Sequence, residues 1–248
     1  MVVLLFEDDK CYLDGKIIEW YYHHINVEGK GITEVKGKVP NCTHSLTLSK
    51  NKIRDLSQLD VNNLNFIDLD FNEIERIDNF HAGELLEVDM AHNRITTLDG
   101  FNLGNIEYLS LAHNLIEEVS EIDTQKLNDL FLNDNKIRHV DFNTGNLLTL
   151  GLHNNELESI DKLTISPILS ELYLADNKLT EFKKSVNLIY LTLDNNKITS
   201  PFNLECDRSD NLVIDNMKNE KEEMIACSEM LNEYKDYIIR NSKKSARK

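Results

Sequence analysis

The chain has 248 residues, of which 41% are hydrophobic, and its 43 acidic and 27 basic residues give a formal net charge of −16. A charge this negative disfavours binding to nucleic acid or to anionic membranes, because both attract basic surfaces. Only three prolines and nine glycines occur, so no proline- or glycine-rich linker separates two domains. No apolar run approaches the ~20 residues that a membrane-spanning helix needs, and we expect a soluble chain with a sizeable core.

The first 40 residues have the character of β-strands. Residues 2–6 are apolar, but they are too few and lack the basic start of a secretory signal peptide, so we interpret them as a first strand. Asp14-Gly15, between apolar flanks, is a hairpin signal. Because the repeats that follow expose the edge of their first strand, we predict that residues 1–40 form a β-rich N-terminal cap.

From residue 41 to residue 217 the sequence repeats one pattern, Leu-x-Leu-x-x-Asn-x-Ile, which residues 130–137 show in full. The asparagine of each repeat follows the previous one by 19 to 22 residues. The eight asparagines are Asn51, Asn72, Asn93, Asn114, Asn135, Asn155, Asn177 and Asn196. Further apolar residues stand two, five and about eight positions after most of them, so three apolar rows run through the repeats.

Stacking explains the repeat in physical terms. Alternating leucines make a short strand with one apolar face, which a single repeat cannot bury, so neighbouring repeats stack and share a core. The asparagine turns the chain away from the strand. We predict that its amide bonds to backbone groups of adjoining turns that would otherwise be buried without partners. Leu212 and Ile214 belong to a degenerate ninth repeat, in which Met217 replaces the asparagine.

Residues 32–53 lead into the first repeat through Val39-Pro40, Thr43 and the first pair of leucines. With the repeats, this segment resembles extracellular leucine-rich-repeat (LRR) proteins over residues 32–217. One departure is Cys42, which follows the proline, whereas the family usually clusters its cap cysteines before this segment. The resemblance implies an α/β-type LRR solenoid of short 20–22-residue repeats. Its curved parallel β-sheet would lie between the β-rich N-terminal cap and a helical C-terminal cap.

The chain after residue 217 has a helical pattern. Its apolar residues recur on one helical face at Met224, Cys227, Leu231, Tyr234 and Ile238. We predict a C-terminal capping helix within residues 218–248, ending in a basic tail. An alternative interpretation of the same helix is the start of a coiled coil that binds a partner or mediates oligomerisation.

All four cysteines lie outside the eight repeats, at Cys11, Cys42, Cys206 and Cys227. Four cysteines allow three pairings, and we favour Cys11–Cys42 with Cys206–Cys227, which closes each cap separately and stabilises it by ~3 kcal/mol. This distribution favours an oxidising compartment, so we expect a secreted protein whose leader is missing from this chain. The alternative is a cytosolic protein. Asn41-Cys42-Thr43 is formally an acceptor for N-linked glycosylation.

No motif for catalysis or for a cofactor is present in the sequence, and we predict a protein that is not an enzyme and needs no cofactor. His92 and His113 occupy equivalent positions in adjacent repeats, so we expect them to be neighbours on the sheet. A metal site is one interpretation of this pair. We favour a solvated histidine pair because no third ligand is evident.

The residues between and beside the paired leucines point away from the core and can be compared by column along the sheet. These columns are acidic, with aromatic residues set among the carboxylates. We predict that the partner-binding residues are Phe66, Asp68, Asp89, Tyr108, Asp129, Phe131, Glu171, Tyr173 and Tyr190. A merely solvating surface is the alternative, but aromatic side chains gain nothing by facing water, whereas protein interfaces concentrate them.

We therefore predict a non-enzymatic extracellular module that binds a protein or peptide with basic patches on its concave strand face. The resemblance to extracellular LRR proteins implies roles such as innate immune recognition, and the layout of the chain is similar to insect leucine-rich immune proteins. The alternative is a cytosolic LRR scaffold or a regulatory subunit of an enzyme or motor complex.

Overall fold

The computed structural model describes residues 1–20, 23–78, 80–183 and 188–198, together with the backbone of residues 213–215. The predicted C-terminal helix, Cys206 and Cys227 lie outside the described residues. The chain forms two compact units, a first unit of Met1–Glu117 with Gln125–Phe131 and a second of Glu118–Thr124 with Leu132–Lys248. In the described part of the chain, no helix is long and apolar enough to cross a membrane.

Short β-strands make up the regular structure. In chain order they are β1 (Val3–Glu7), β2 (Lys10–Leu13), β3 (Lys16–Ile18), β4 (His24–Asn26), β5 (Glu34–Lys38), β6 (Ser45–Thr47), β7 (Leu59–Asp60), β8 (Phe66–Asp68), β9 (Glu87–Asp89), β10 (Tyr108–Ser110), β11 (Glu118–Ser120), β12 (Asp129–Phe131), β13 (His139–Asp141), β14 (Thr149–Gly151), β15 (Glu171–Tyr173), β16 (Tyr190–Thr192) and β17 (Val213–Asp215). The strands that carry the repeated leucines are only three residues long, because the alternating part of each repeat is equally short.

A five-stranded sheet with the order β3-β2-β1-β5-β7 lies in the N-terminal part of the first unit. The β1–β2 and β2–β3 pairs are antiparallel, whereas β1–β5 and β5–β7 are parallel. The predicted hairpin turn joins β2 to β3. Asp14 and Gly15 have φ angles of 48° and 76°, and a type I′ turn requires positive φ at both central residues.

The repeats form a parallel β-solenoid of about eight turns, which confirms the predicted solenoid fold. The strand order is β4-β6-β8-β9-β10-β12 in the first unit and β14-β15-β16-β17 in the second. The register pairs equivalent leucines, such as Leu109 with Leu130 and Leu172 with Leu191. The structure differs from the prediction in two places. β4 lies in the segment expected to form the cap, but it joins the sheet of the repeats by pairing with β6, and β11 and β13 form a separate parallel pair that the sequence does not predict.

The repeat asparagines bond to the backbone as predicted. Asn114 accepts a hydrogen bond from the N–H of Ile95 (2.9 Å), and its amide nitrogen donates to the carbonyls of Met90 (3.0 Å) and Leu111 (3.1 Å). The same arrangement recurs at Asn51, Asn72, Asn93, Asn155, Asn177 and Asn196. Each of these side chains therefore links its own turn to the preceding one and satisfies buried backbone groups.

The residue before each asparagine has a left-handed backbone conformation. Its φ angle is between 49° and 56° at Lys50, Phe71, His92, His113, Asp134, Asn154, Asp176 and Asn195. Aspartate and asparagine tolerate this conformation better than other non-glycine residues, and they occupy all four of these positions in the second unit. In the first unit the same position carries a lysine, a phenylalanine and two histidines.

The cysteine pairing in the first unit corrects the prediction from the sequence. Cys11 and Cys42 are both free, so the expected bond between them is absent from the structure. Cys11 lies on β2, where its thiol is buried and burial raises its pKa to about 12. Cys42 is exposed in the turn after Pro40. The two thiols therefore stand in different environments, one in the core and one facing solvent.

Candidate functional site

The strand register confirms the columns that the sequence predicts, and we call the surface they form the strand face. In the first unit one column contains Ser45, Phe66, Glu87, Tyr108 and Asp129, and the other contains Thr47, Asp68, Asp89, Ser110 and Phe131. In the second unit the columns contain Thr149, Glu171 and Tyr190, and Gly151, Tyr173 and Thr192. The predicted partner-binding residues of each unit therefore lie on one surface of that unit.

Tyr108 and Phe131 form an aromatic pair on the strand face of the first unit. Their ring centroids are 5.5 Å apart, and both side chains are half-buried. Burial raises the pKa of the Tyr108 hydroxyl, and the negative charges of Asp89 and Asp129 raise it further. The phenol is therefore neutral at physiological pH and can donate a hydrogen bond beside two carboxylates.

Asp68 and Asp89 lie directly opposite each other on β8 and β9. Each carboxylate accepts a hydrogen bond from the N–H two residues later, at Asp70 and Ala91 respectively, and both distances are 3.0 Å. These bonds hold two like charges on adjacent strands, an arrangement that destabilises a sheet. Burial raises the pKa of Asp89, and the charge of Asp68 adds to that effect. The centre of this face thus favours the approach of a cation.

A second aromatic cluster lies on the strand face of the second unit. The Tyr173 and Tyr190 rings are 5.3 Å apart, and His153 contacts the edge of the Tyr173 ring at 6.3 Å. The Tyr173 hydroxyl donates a hydrogen bond of 2.8 Å to Glu171. Burial, and then this bond, raise the pKa of Tyr173 to about 12. The bond fixes the direction of the tyrosine ring, so this cluster is ordered before any partner binds.

Three rings that the predicted binding set omits form a ladder at the left-handed positions of the first unit, and we call them the ring stack. Phe71 stacks on His92 at 4.0 Å with an interplanar angle of 7°, and His92 stacks on His113 at 4.1 Å and 10°. The Phe71 side chain is 47% exposed. The prediction that His92 and His113 are neighbours is therefore confirmed. A sequence signal did exist, since rings precede the repeat asparagine in three successive repeats.

Metal binding finds no support from the geometry of the described residues. Among them no three histidine, cysteine or acidic side chains are arranged so that they could hold a metal ion. Basic residues directly follow several of the repeat asparagines, and two of them pair with glutamates. Arg94 lies 3.3 Å from Glu73, and Lys178 lies 2.9 Å from Glu156. At these two positions the positive charge is balanced by a neighbouring glutamate.

Comparison with known proteins gives matches among solved structures alone. No protein-family model and no curated protein matches the sequence. The chain is similar to an internalin from Listeria monocytogenes, with 18% identity and a TM-score of 0.41 over 76% of this chain and 68% of the internalin chain. It is also similar to the LRIM1/APL1C complex, with 14% identity and a TM-score of 0.38 over 85% of this chain. The chain spans about half of that second protein, because the match covers 54% of its length.

Proposed function

We propose that this chain, which is a leucine-rich-repeat protein by its asparagine ladder and its stacked parallel strands, recognises a protein or peptide with basic patches. The observation that carries the proposal is the strand face, where half-buried aromatic rings lie among carboxylates. LRR modules of this kind are typically interaction modules without catalytic activity. The proposed role is therefore recognition and not catalysis.

The aromatic side chains are suited to supply most of the binding energy. Tyr108 with Phe131, and Tyr173 with Tyr190, are held by ring contacts and by the short strands beneath them. Rigid aromatic side chains lose little conformational entropy when a partner covers them, and they are enriched among residues that dominate binding. The flanking carboxylates act mainly on association, because long-range attraction steers a basic partner towards the face.

An extracellular location and a role in innate immune recognition belong to the same proposal. Their support is the resemblance of residues 32–53 to the segment before the first repeat in extracellular LRR proteins. A glycan at Asn41 is also part of this proposal, since Asn41 is exposed in a turn.

Thiol alkylation of protein from its native host, before any reduction, tests the extracellular location. We expect a Cys206–Cys227 bridge, whereas four alkylated thiols would favour a cytosolic scaffold.

Zero-length crosslinking of carboxylates to amines, applied in the native fluid and followed by mass spectrometry, tests the recognition function. The basic partner that we propose should be linked through Asp68, Asp89, Asp129 or Glu171. Glu75 serves as an internal control, because it is exposed but does not belong to the strand face. Links that form at Glu75 and at none of the four strand-face residues would place the binding site elsewhere.

A further inference from the structure

The second unit carries an exposed apolar patch beside its strand face. Among the described residues, seven large apolar side chains are exposed, and three of them are Leu148, Ile168 and Ile189. Their exposed fractions are 45%, 46% and 50%. Leu148 directly precedes β14, Ile168 lies three residues before β15, and Ile189 directly precedes β16. A single exposed apolar side chain is ordinary on a protein surface, whereas a cluster of them marks an interaction site.

Backbone hydrogen bonds hold these three residues close together. The N–H of Ser170 donates to the carbonyl of Leu148 (2.9 Å), and the N–H of Ile189 donates to the carbonyl of Ser170 (2.7 Å). Leu148 and Ile189 therefore flank Ser170 on the two neighbouring turns, each about 5 Å away along the sheet. The Ser170 hydroxyl donates to the carbonyl of Ile168 at 3.4 Å, so Ile168 lies beside the same serine. The apolar patch is thus one surface around a small side chain.

The stacking of repeats does not require an apolar residue at the position of Leu148 and Ile189. In the first unit the same kind of backbone hydrogen bond connects the equivalent residues, which are His44, Asn65, Leu86, Glu107 and Asn128. Four of these five residues are polar, and Leu86 is only partly exposed. The apolar patch therefore serves no need of the solenoid itself, and contact with another surface accounts for it.

Residues 224–238 offer an apolar surface of matching character, and they lie outside the described part of the chain. The apolar face of their predicted helix runs from Met224 to Ile238 and is widened by Met230 and Tyr237. At about 100° per residue, this apolar stripe is about 140° wide. A stripe of this width suits a broad surface, whereas the seam of a two-stranded coiled coil is narrower.

The course of the chain brings this segment close to the apolar patch. The strand β17 pairs with β16, and Ile189 directly precedes β16. Residues 216–223 separate β17 from Met224, and a stretch of this length can span up to about 26 Å. The patch lies one to three strands from β17, or about 5 to 14 Å along the sheet. So short a tether holds the segment beside the patch at a high effective concentration, whereas a second copy must be captured from solution.

We propose that residues 224–238 dock as a helix on the apolar patch of the same chain, with their apolar stripe covering Leu148, Ile168 and Ile189. Removal of apolar surface from water on both sides drives the contact. A helix that only closed the last repeat would leave the patch exposed. Because Leu148 and Ile189 directly precede Thr149 and Tyr190 of the strand face, the docked helix borders that face in the second unit. The docking itself is independent of partner binding.

Photocrosslinking of the full chain tests the docking. The photoreactive residue p-benzoylphenylalanine replaces Leu231 within the stripe or, as the matched control, Glu229 on the opposite side of the same predicted helix. Unlabelled and deuterated chains are mixed before irradiation, so that mass spectrometry distinguishes links within one chain from links between two chains. The probe at position 231 should link within one chain to the segments around Leu148, Ile168 or Ile189, and the control should not. Links only between chains, links only to other segments, or no links would overturn the proposal.

Limited digestion with trypsin gives a second test, because a docked helix protects the bond after Lys235 from cleavage. In the double variant Leu148→Asn/Ile189→Asn, cleavage after Lys235 should be roughly tenfold faster or more, since loss of apolar contact raises the population of the undocked segment. Leu86→Asn makes the same replacement in the first unit and should leave this rate unchanged. Circular dichroism checks that both variants are folded. A wild-type cleavage rate in the double variant would overturn the proposal.

Discussion

Replacing Asn114 with alanine removes one rung of the asparagine ladder, and its effect can be worked out from the structure. The N–H of Ile95 loses its acceptor at 2.9 Å, and the carbonyls of Met90 and Leu111 lose a donor. A buried N–H without a partner costs about 1–3 kcal/mol. The two carbonyls add to this, so we expect the free energy of unfolding to fall by about 2–4 kcal/mol.

The assay is equilibrium unfolding in urea followed by circular dichroism. Asn65→Ala is the matched control, because Asn65 is an exposed asparagine in the same unit, and its loss should change stability by less than about 0.5 kcal/mol. A midpoint for Asn114→Ala equal to that of Asn65→Ala would refute the argument that the ladder satisfies buried backbone groups. A changed slope would instead indicate that the surface exposed on unfolding has changed or that the transition is no longer two-state.

Other predictions concern single side chains. Asp89→Asn should stabilise the protein near neutral pH. Burial raises the pKa of Asp89 in the folded state, so the ionised carboxylate disfavours folding, and this penalty appears as pH rises through the folded pKa. The gain in stability should disappear as pH falls to 3.8, the ordinary pKa of aspartate, because the carboxyl is then protonated in the folded state. Urea unfolding midpoints measured across this pH range test the prediction. Without denaturant, a maleimide should label exposed Cys42 and not buried Cys11, whereas equal protection of both would support a bond between them. Asp68→Asn should slow association of the partner and flatten its salt dependence in stopped-flow measurements, while unchanged association would remove the steering role.

The sequence predicts the parts of the fold that follow from periodicity. The spacing of leucines and asparagines locates the strands. Equivalent positions in adjacent repeats then place Asp68 beside Asp89 and Tyr108 beside Asp129, as the strand register confirms. A period of two decides which face a side chain occupies, so the columns of the strand face are predictable.

Two features were missed because they depend on local backbone geometry. The sequence places His92 beside His113, but it does not predict that Phe71 joins them, because a phenylalanine rarely adopts the left-handed conformation that the residue before each asparagine has. The cysteine pairing failed for a related reason. Cys11 and Cys42 both precede the repeats, which suggested that they pair with each other. The sequence does not show that Cys11, on β2, is buried in the core while Cys42 is exposed.

The central claim is that the strand face binds the partner, and surface-plasmon kinetics with the crosslinked partner test it most directly. Phe131→Ala and Tyr173→Ala should each raise the dissociation rate roughly tenfold or more, because rigid aromatic anchors dominate interface energy. Both variants should remain folded, since neither side chain belongs to the buried core. Lys136→Gln changes an exposed charge outside the strand face and should leave the rate unchanged. Wild-type dissociation rates in both aromatic variants would contradict the claim.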